Sequence, residues 1–119
     1  MQNFRREAPR IDVEALCWEL VDGKETSGLA VDLSPLGLRI ERPYVPGPTR
    51  LTVPLQIEVP GIDEVMWARG EACFDVLLPS RTWGMGIIRR TGYRIEGAGR
   101  DLRMLKEYVF ETHRERHRA

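Results

Sequence analysis

Histidine and cysteine are both scarce in this chain, each occurring twice in 119 residues. Cys17 and Cys73 lie far apart and match no CxxC or zinc-ligand spacing, which argues against a zinc-built module and against a disulfide-stapled secreted scaffold. His113 and His117 stand at i, i+4 near the end of the sequence with no third ligand in sight, so they read as a solvated helix end rather than a metal site. With both histidines in that tail, neither cysteine has a base to make it a nucleophile, and both read as strand packing residues. Nowhere do about 18 apolar residues run together, and the opening MQNFRREAPR holds no apolar segment. Membrane insertion is therefore not expected, and a cytoplasmic location is. A phosphate-transfer loop, an HExxH and a Ser/His/Asp set are also missing, while Glu58, Glu71 and Asp75 scatter along strand faces with nothing to pair them for acid–base work. Neither enzymatic activity nor a metal or organic cofactor is expected.

What is present is a soluble globular composition, 42% hydrophobic and 30% charged, of a length that suits one domain with one core. The net charge of zero hides an uneven distribution: residues 1–10 carry +2, residues 11–88 carry −6 and residues 89–119 carry +4. A nucleic-acid polymer wants positive charge spread widely and, for single strands, a basic strand face with aromatics. An acidic middle between two basic ends suits a local anion site instead.

From residue 11 to about 90 the apolar period is two. RLTVPLQIEV (50–59) sets Leu51, Val53, Leu55, Ile57 and Val59 on one face, the pattern of a half-buried antiparallel strand. Pro54 lacks a ladder donor, so this strand is an edge or starts pairing after it. IDVEALCWELVD (11–22) groups Leu16, Trp18 and Leu20 and ends in the turn signal DGKE. TSGLAVDLSPLGLRIERP reads as strands 26–33 and 36–41 joined at SPLG, with Leu29, Val31 and Leu33 inward and Ala30 and Asp32 outward. VMWARGEACFDVLL (65–78) is a long strand that Gly70 lets bend, and TWGMGIIRR (82–90) is a sixth. Six antiparallel strands between Gly/Pro/Asp turns indicate a mainly β fold, a six-stranded barrel that leaves few exposed edges. After EGAG the pattern changes to Leu102, Leu105 and Val109 at helical spacing, so the barrel (11–91) is followed by an amphipathic helix over 98–116. Trp18, Trp67 and Trp83 read as core or barrel-end packing, with Trp83 and Gly86 placed where they could also flank a ligand.

Two short stretches carry chemistry. RREAPR (5–10) is a basic arm, Arg5, Arg6 and Arg10, that Pro9 keeps out of a helix. DLSPLG (32–37) places Asp32 and Ser34 on one strand face, and Ser34-Pro35-Leu36-Gly37 is equally good type I turn chemistry. An Arg fork meets the O6 and N7 acceptors of guanine, a carboxylate accepts from its N1 and N2 donors, and phosphates take Arg forks, hydroxyls and close backbone amides. Together the two stretches hold the parts for a guanine nucleotide.

Arg6-x-x-x-Arg10 followed by Asp32-x-Ser34-x-x-Gly37 resembles the RxxxR and [D/N]xSxxG pair of PilZ domains, and the likeness extends over roughly residues 4–112, including the glycine-containing WGMGII. The resemblance implies a single-domain PilZ-like barrel with an arginine arm at 1–10, binding the bacterial second messenger cyclic di-GMP. It implies guanine and phosphate contacts from Arg6 and Arg10, a guanine contact from Asp32, a phosphate or turn bond from Ser34, and a close backbone approach at Gly37. Arg5, just before the first motif, bears on whether one ligand or a stacked pair binds. The function so implied is a receptor or adaptor whose arm orders on the ligand and signals to an effector protein, as a monomer or homodimer. The alternative is a PilZ-fold protein-interaction module with weak or no affinity for the nucleotide, in which Glu7 and Asp12 pair with the arginines instead.

Overall fold

The computed structural model describes residues 9–47, 50–80, 86–96 and 99–118. Its strands are β1 (Ile11–Val21), β2 (Lys24–Leu33), β3 (Gly37–Pro43), β4 (Thr52–Glu58), β5 (Met66–Pro79) and β6 (Ile87–Glu96), and one helix follows, α1 (Arg100–Arg116). All pairings are antiparallel, and the strands close in the order β1-β2-β3-β6-β5-β4. The expected six-stranded barrel with its C-terminal helix is therefore present.

Local chemistry explains the joints. Asp22 (φ 52°) and Gly23 (φ 78°) form a two-residue turn closed by the Val21–Lys24 pair, with the left-handed backbone that a tight hairpin requires. Pro54 stands one residue before the point where β4 begins to pair with β1, at Leu55, so its missing N–H costs that ladder nothing. Leu105 and Val109 of α1 are buried, and the helix packs on β5 and β1. The Asp101 carboxylate in its first turn accepts the Trp67 N–H at 3.0 Å.

Four expectations need correction. The last strand does not end at 90: β6 runs from Ile87 to Glu96, so the barrel ends there rather than at 91, and residues 82–85 of the expected strand lie outside the described residues. The charged RR and the glycine at 92 resemble a strand end, but Arg90 faces outward onto Glu41 and Gly92 makes room for the Phe74 ring. On β1 it is Ala15, Cys17 and Glu19 that turn inward, whereas Leu16 is 49% exposed. The small Ala15 and Cys17 leave space in the interior for the larger buried Leu33, Ile40, Leu55, Ile57 and Met66. Cys73 is exposed at a register shift in β5 between Ala72 and Phe74, where packing is interrupted, so only Cys17 is a packing residue. Trp67 likewise stands half exposed on the outer face, and Trp83 is outside the described residues.

The in–out pattern of β2 also differs from strict alternation. Ala30 is fully buried and Leu29 is not, because the register with β3 slips between Ala30 and Asp32. Ala30 pairs with Ile40 inside the barrel, Val31 is the extra residue, Asp32 pairs with Arg39 outside, and Leu33 pairs with Leu38 inside again.

The interior is not wholly apolar. Glu19 Oε1 meets Arg42 Nε at 2.7 Å, and the Tyr93 hydroxyl donates to Glu19 Oε2 at 2.5 Å. Burial first, then the Glu19 charge, pushes the Tyr93 phenol far above the ordinary tyrosine range, so it stays a donor. Removing one member of a buried ion pair strands the other charge, whereas replacing both by apolar groups is often tolerated. Arg42→Met is thus expected to destabilise by about 3 kcal/mol. Glu19→Leu combined with Arg42→Met should recover most of that loss in urea denaturation.

Burial also pushes the Cys17 thiol well above its usual range. A thiol reagent should label Cys73 alone in the native protein and reach Cys17 only on unfolding, read by intact-mass spectrometry.

Candidate functional site

The Val31 bulge turns Asp32 outward and sets it across the ladder from Arg39. There the Arg39 Nε donates to Asp32 Oδ2 at 2.5 Å, and Arg39 Nη2 contacts the same oxygen. Arg10, one residue before β1, brings its Nη1 to 3.8 Å from that Oδ2. The carboxylate side chain is 4% exposed beneath the two arginines, which are 35% and 47% exposed. On its other flank β1 sets Asp12 directly opposite Asp32, a like-charge pairing that the two arginines counter. Arg10, Asp32, Ser34 and Gly37 thus lie together at one end of the β1–β2–β3 surface. Arg5, Arg6 and Trp83 lie outside the described residues. Gly86 (φ 142°) stands one residue before β6, at the far end of that strand from Gly92, and a Cβ there would meet nothing within 4 Å.

Ser34 serves the turn first. Its hydroxyl accepts the amides of Leu36 (3.2 Å) and Gly37 (3.1 Å), and the Ser34 N–H donates to the Gly37 carbonyl at 2.8 Å. Gly37 has ordinary negative φ, so its need for glycine is contact, not conformation: a Cβ there would sit 2.2 Å from the Tyr93 carbonyl oxygen of β6. The close approach expected at Gly37 is therefore made to the chain's own β6. Gly37→Ala should cost about 1–3 kcal/mol through overpacking, seen as a fall in melting temperature without ligand.

Sequence reasoning passed over Arg39, which lies in neither motif, and the row beyond it. Gly92 pairs with both Arg39 and Phe74, and the half-exposed Phe74 ring lies over Gly92, where a Cβ would be 2.1 Å from it. Outward arginines farther along are matched by carboxylates, Arg90 with Glu41 and Arg94 with Glu71 and Glu96. At Asp32, by contrast, two partly exposed guanidinium groups meet one buried carboxylate, and their exposed sides suit an anion. A separate cleft of about 480 Å³ between β1 and the β4–β5 connection is lined by Glu14, Glu58, Asp63 and Glu64, the wrong sign for a phosphate. The His113 and His117 rings stack at 4.2 Å, and among the described residues no group of three His, Cys, Asp or Glu could hold a metal ion. No described helix is long and apolar enough to cross a membrane.

No protein-family model and no curated protein sequence matches this chain. Solved structures do. The PilZ domain of YcgR from Escherichia coli, with c-di-GMP, superposes with a TM-score of 0.70 at 19% identity, over 94% of each chain. The Bacillus subtilis inhibitor of motility, MotI/DgrA, gives 0.69 at 17% identity over 96% of this chain. This chain spans 54% of that protein's length. The PlzA protein of Borreliella burgdorferi, in complex with c-di-GMP, gives 0.65 at 5% identity, over 99% of this chain and 56% of that one. The barrel described here has the fold of the PilZ domain.

Proposed function

We propose that this chain is a receptor for cyclic di-GMP that passes ligand occupancy to a protein partner, without a catalytic step of its own. The observation that supports this most is the meeting of Arg10 and Asp32 at 3.8 Å, which joins one residue of each motif at a single surface. Asp32 would accept from the N1–H and N2–H edge of a guanine, and Arg10 would supply a fork for guanine acceptors or a phosphate. Arg5 and Arg6 are proposed to follow on the same arm, closing over the two phosphates. Ser34 and Gly37 would act by shaping the turn, and Phe74, over Gly92, would offer a base an aromatic face. Trp83 and Gly86 are proposed to flank the ligand. Arg10 is half exposed and holds Asp32 by one long contact, so it can leave and return as the arm orders on the ligand, a change that a partner can sense. Similar barrels whose structures carry c-di-GMP add to the case. A cytoplasmic location is proposed with that ligand.

One observation favours the second reading, an interaction module of the same fold with weak or no nucleotide affinity. Asp32 is already bridged by Arg39 and Arg10 and almost fully covered, so a ligand must displace part of that cover.

Calorimetric titration of the purified protein with cyclic di-GMP decides between them. The receptor reading expects saturable binding that weakens at least about tenfold in Arg6→Ala and in Asp32→Ala, the loss of one charge-assisted contact. Two ligands per chain would indicate a stacked pair beside Arg5. Flat heats from folded protein would overturn the receptor reading in favour of the interaction module.

A further inference from the structure

We propose that Arg39, a residue outside both motifs, is the positioning residue that fixes how Asp32 meets a guanine; this rests on the receptor reading above. The two arginines at Asp32 are not equivalent. Arg39 stands within β3, paired to β2 on one side and to β6 on the other, and places two nitrogens on Oδ2. Arg10 precedes β1, makes a single contact at 3.8 Å and is the more exposed of the two.

The contacts of Arg39 Nε, Arg39 Nη2 and Arg10 Nη1 to Asp32 all fall on Oδ2. A carboxylate held by one oxygen against a rigid fork cannot rotate freely, and its other oxygen keeps one direction. The cover over Asp32 must open for a base to enter, and Arg10 is the part built to move. Arg39 stays, takes Oδ2 and aims Oδ1 at the incoming N–H. It acts through Asp32 and touches the nucleotide only indirectly. The bulge at Val31 makes this possible, because strict alternation would not place Asp32 opposite Arg39 on the outer face.

The test is a double-mutant cycle on the full chain, with cyclic di-GMP affinity measured by calorimetry for the unmodified protein, Arg39→Ala, Asp32→Asn and the double variant. The expected result is a ten- to hundredfold loss for Arg39→Ala in the native background, the range of a charge-assisted hydrogen bond. In the Asp32→Asn background the same substitution should change affinity less than about threefold, since the group it positions is gone. Arg39→Lys should recover only part of the loss, because a single ammonium cannot fork. An equal loss in both backgrounds would make Arg39 merely structural and overturn the inference. So would unchanged or tighter binding in Arg39→Ala, which would make Arg39 a competitor for Asp32. Should Arg39→Ala fail to fold, Arg39→Lys carries the same cycle, and an affinity equal to the unmodified protein's overturns the inference. Binding by the unmodified protein with any of these outcomes leaves the receptor reading intact, whereas no binding by the unmodified protein overturns both.

Discussion

Val31 has no counterpart on β3, and from that one unmatched residue the outer face of the barrel takes its arrangement. Before it, Ala30 points into the core against Ile40; after it, Asp32 points out against Arg39 while Leu33 returns to the core. Without the slip, an acidic side chain two residues after a buried alanine would face the barrel interior with no cation paired across the strand. With it, the carboxylate sits on the surface, under two guanidinium groups, next to the turn that ends in Gly37. A bulge of this kind re-aims a side chain at little cost because the ladder resumes on both sides.

The site is also tied to the interior. Gly37 presses against the Tyr93 carbonyl, and the same residue's hydroxyl reaches into the barrel to Glu19, which Arg42 holds from β3. The ion pair with its tyrosine occupies space inside the barrel beside the apolar core. The turn that carries the site therefore rests on a strand anchored by a buried polar cluster. At the other side, Arg116 of α1 donates to the Asp12 carbonyl at 2.7 Å, two residues beyond Arg10, so the helix end lies near the root of the arm.

Much of this is visible in the sequence itself. Period-two alternation and the Gly/Pro/Asp turns mark the strands, and the helical spacing of Leu105 and Val109 marks α1, because these patterns arise from the backbone itself. Arg10 and Asp32 are marked by motif, and the structure sets them 3.8 Å apart. Three things are hidden because they depend on partners across strands rather than on neighbours in sequence. The slip at Val31 reverses the faces of Leu29 and Ala30 without any glycine to announce it. Glu19 and Arg42 look like surface charges on alternating strands, and only closure of the barrel sets them face to face. Arg39 looks like one more outward arginine until its pairing with Asp32 is known. A β6 that runs on through Arg89, Arg90 and Gly92 is likewise legible only once Glu41 and Phe74 are placed beside it.

The most direct test of the central claim is an amide NMR titration of the uniformly labelled protein with cyclic di-GMP. The account predicts saturable shifts concentrated at Arg10, at Asp32 to Gly37 and at Arg39, with the acidic cleft around Asp63 unchanged. Shifts confined to that cleft or to α1, or no saturable shifts in a well-folded protein, would contradict it.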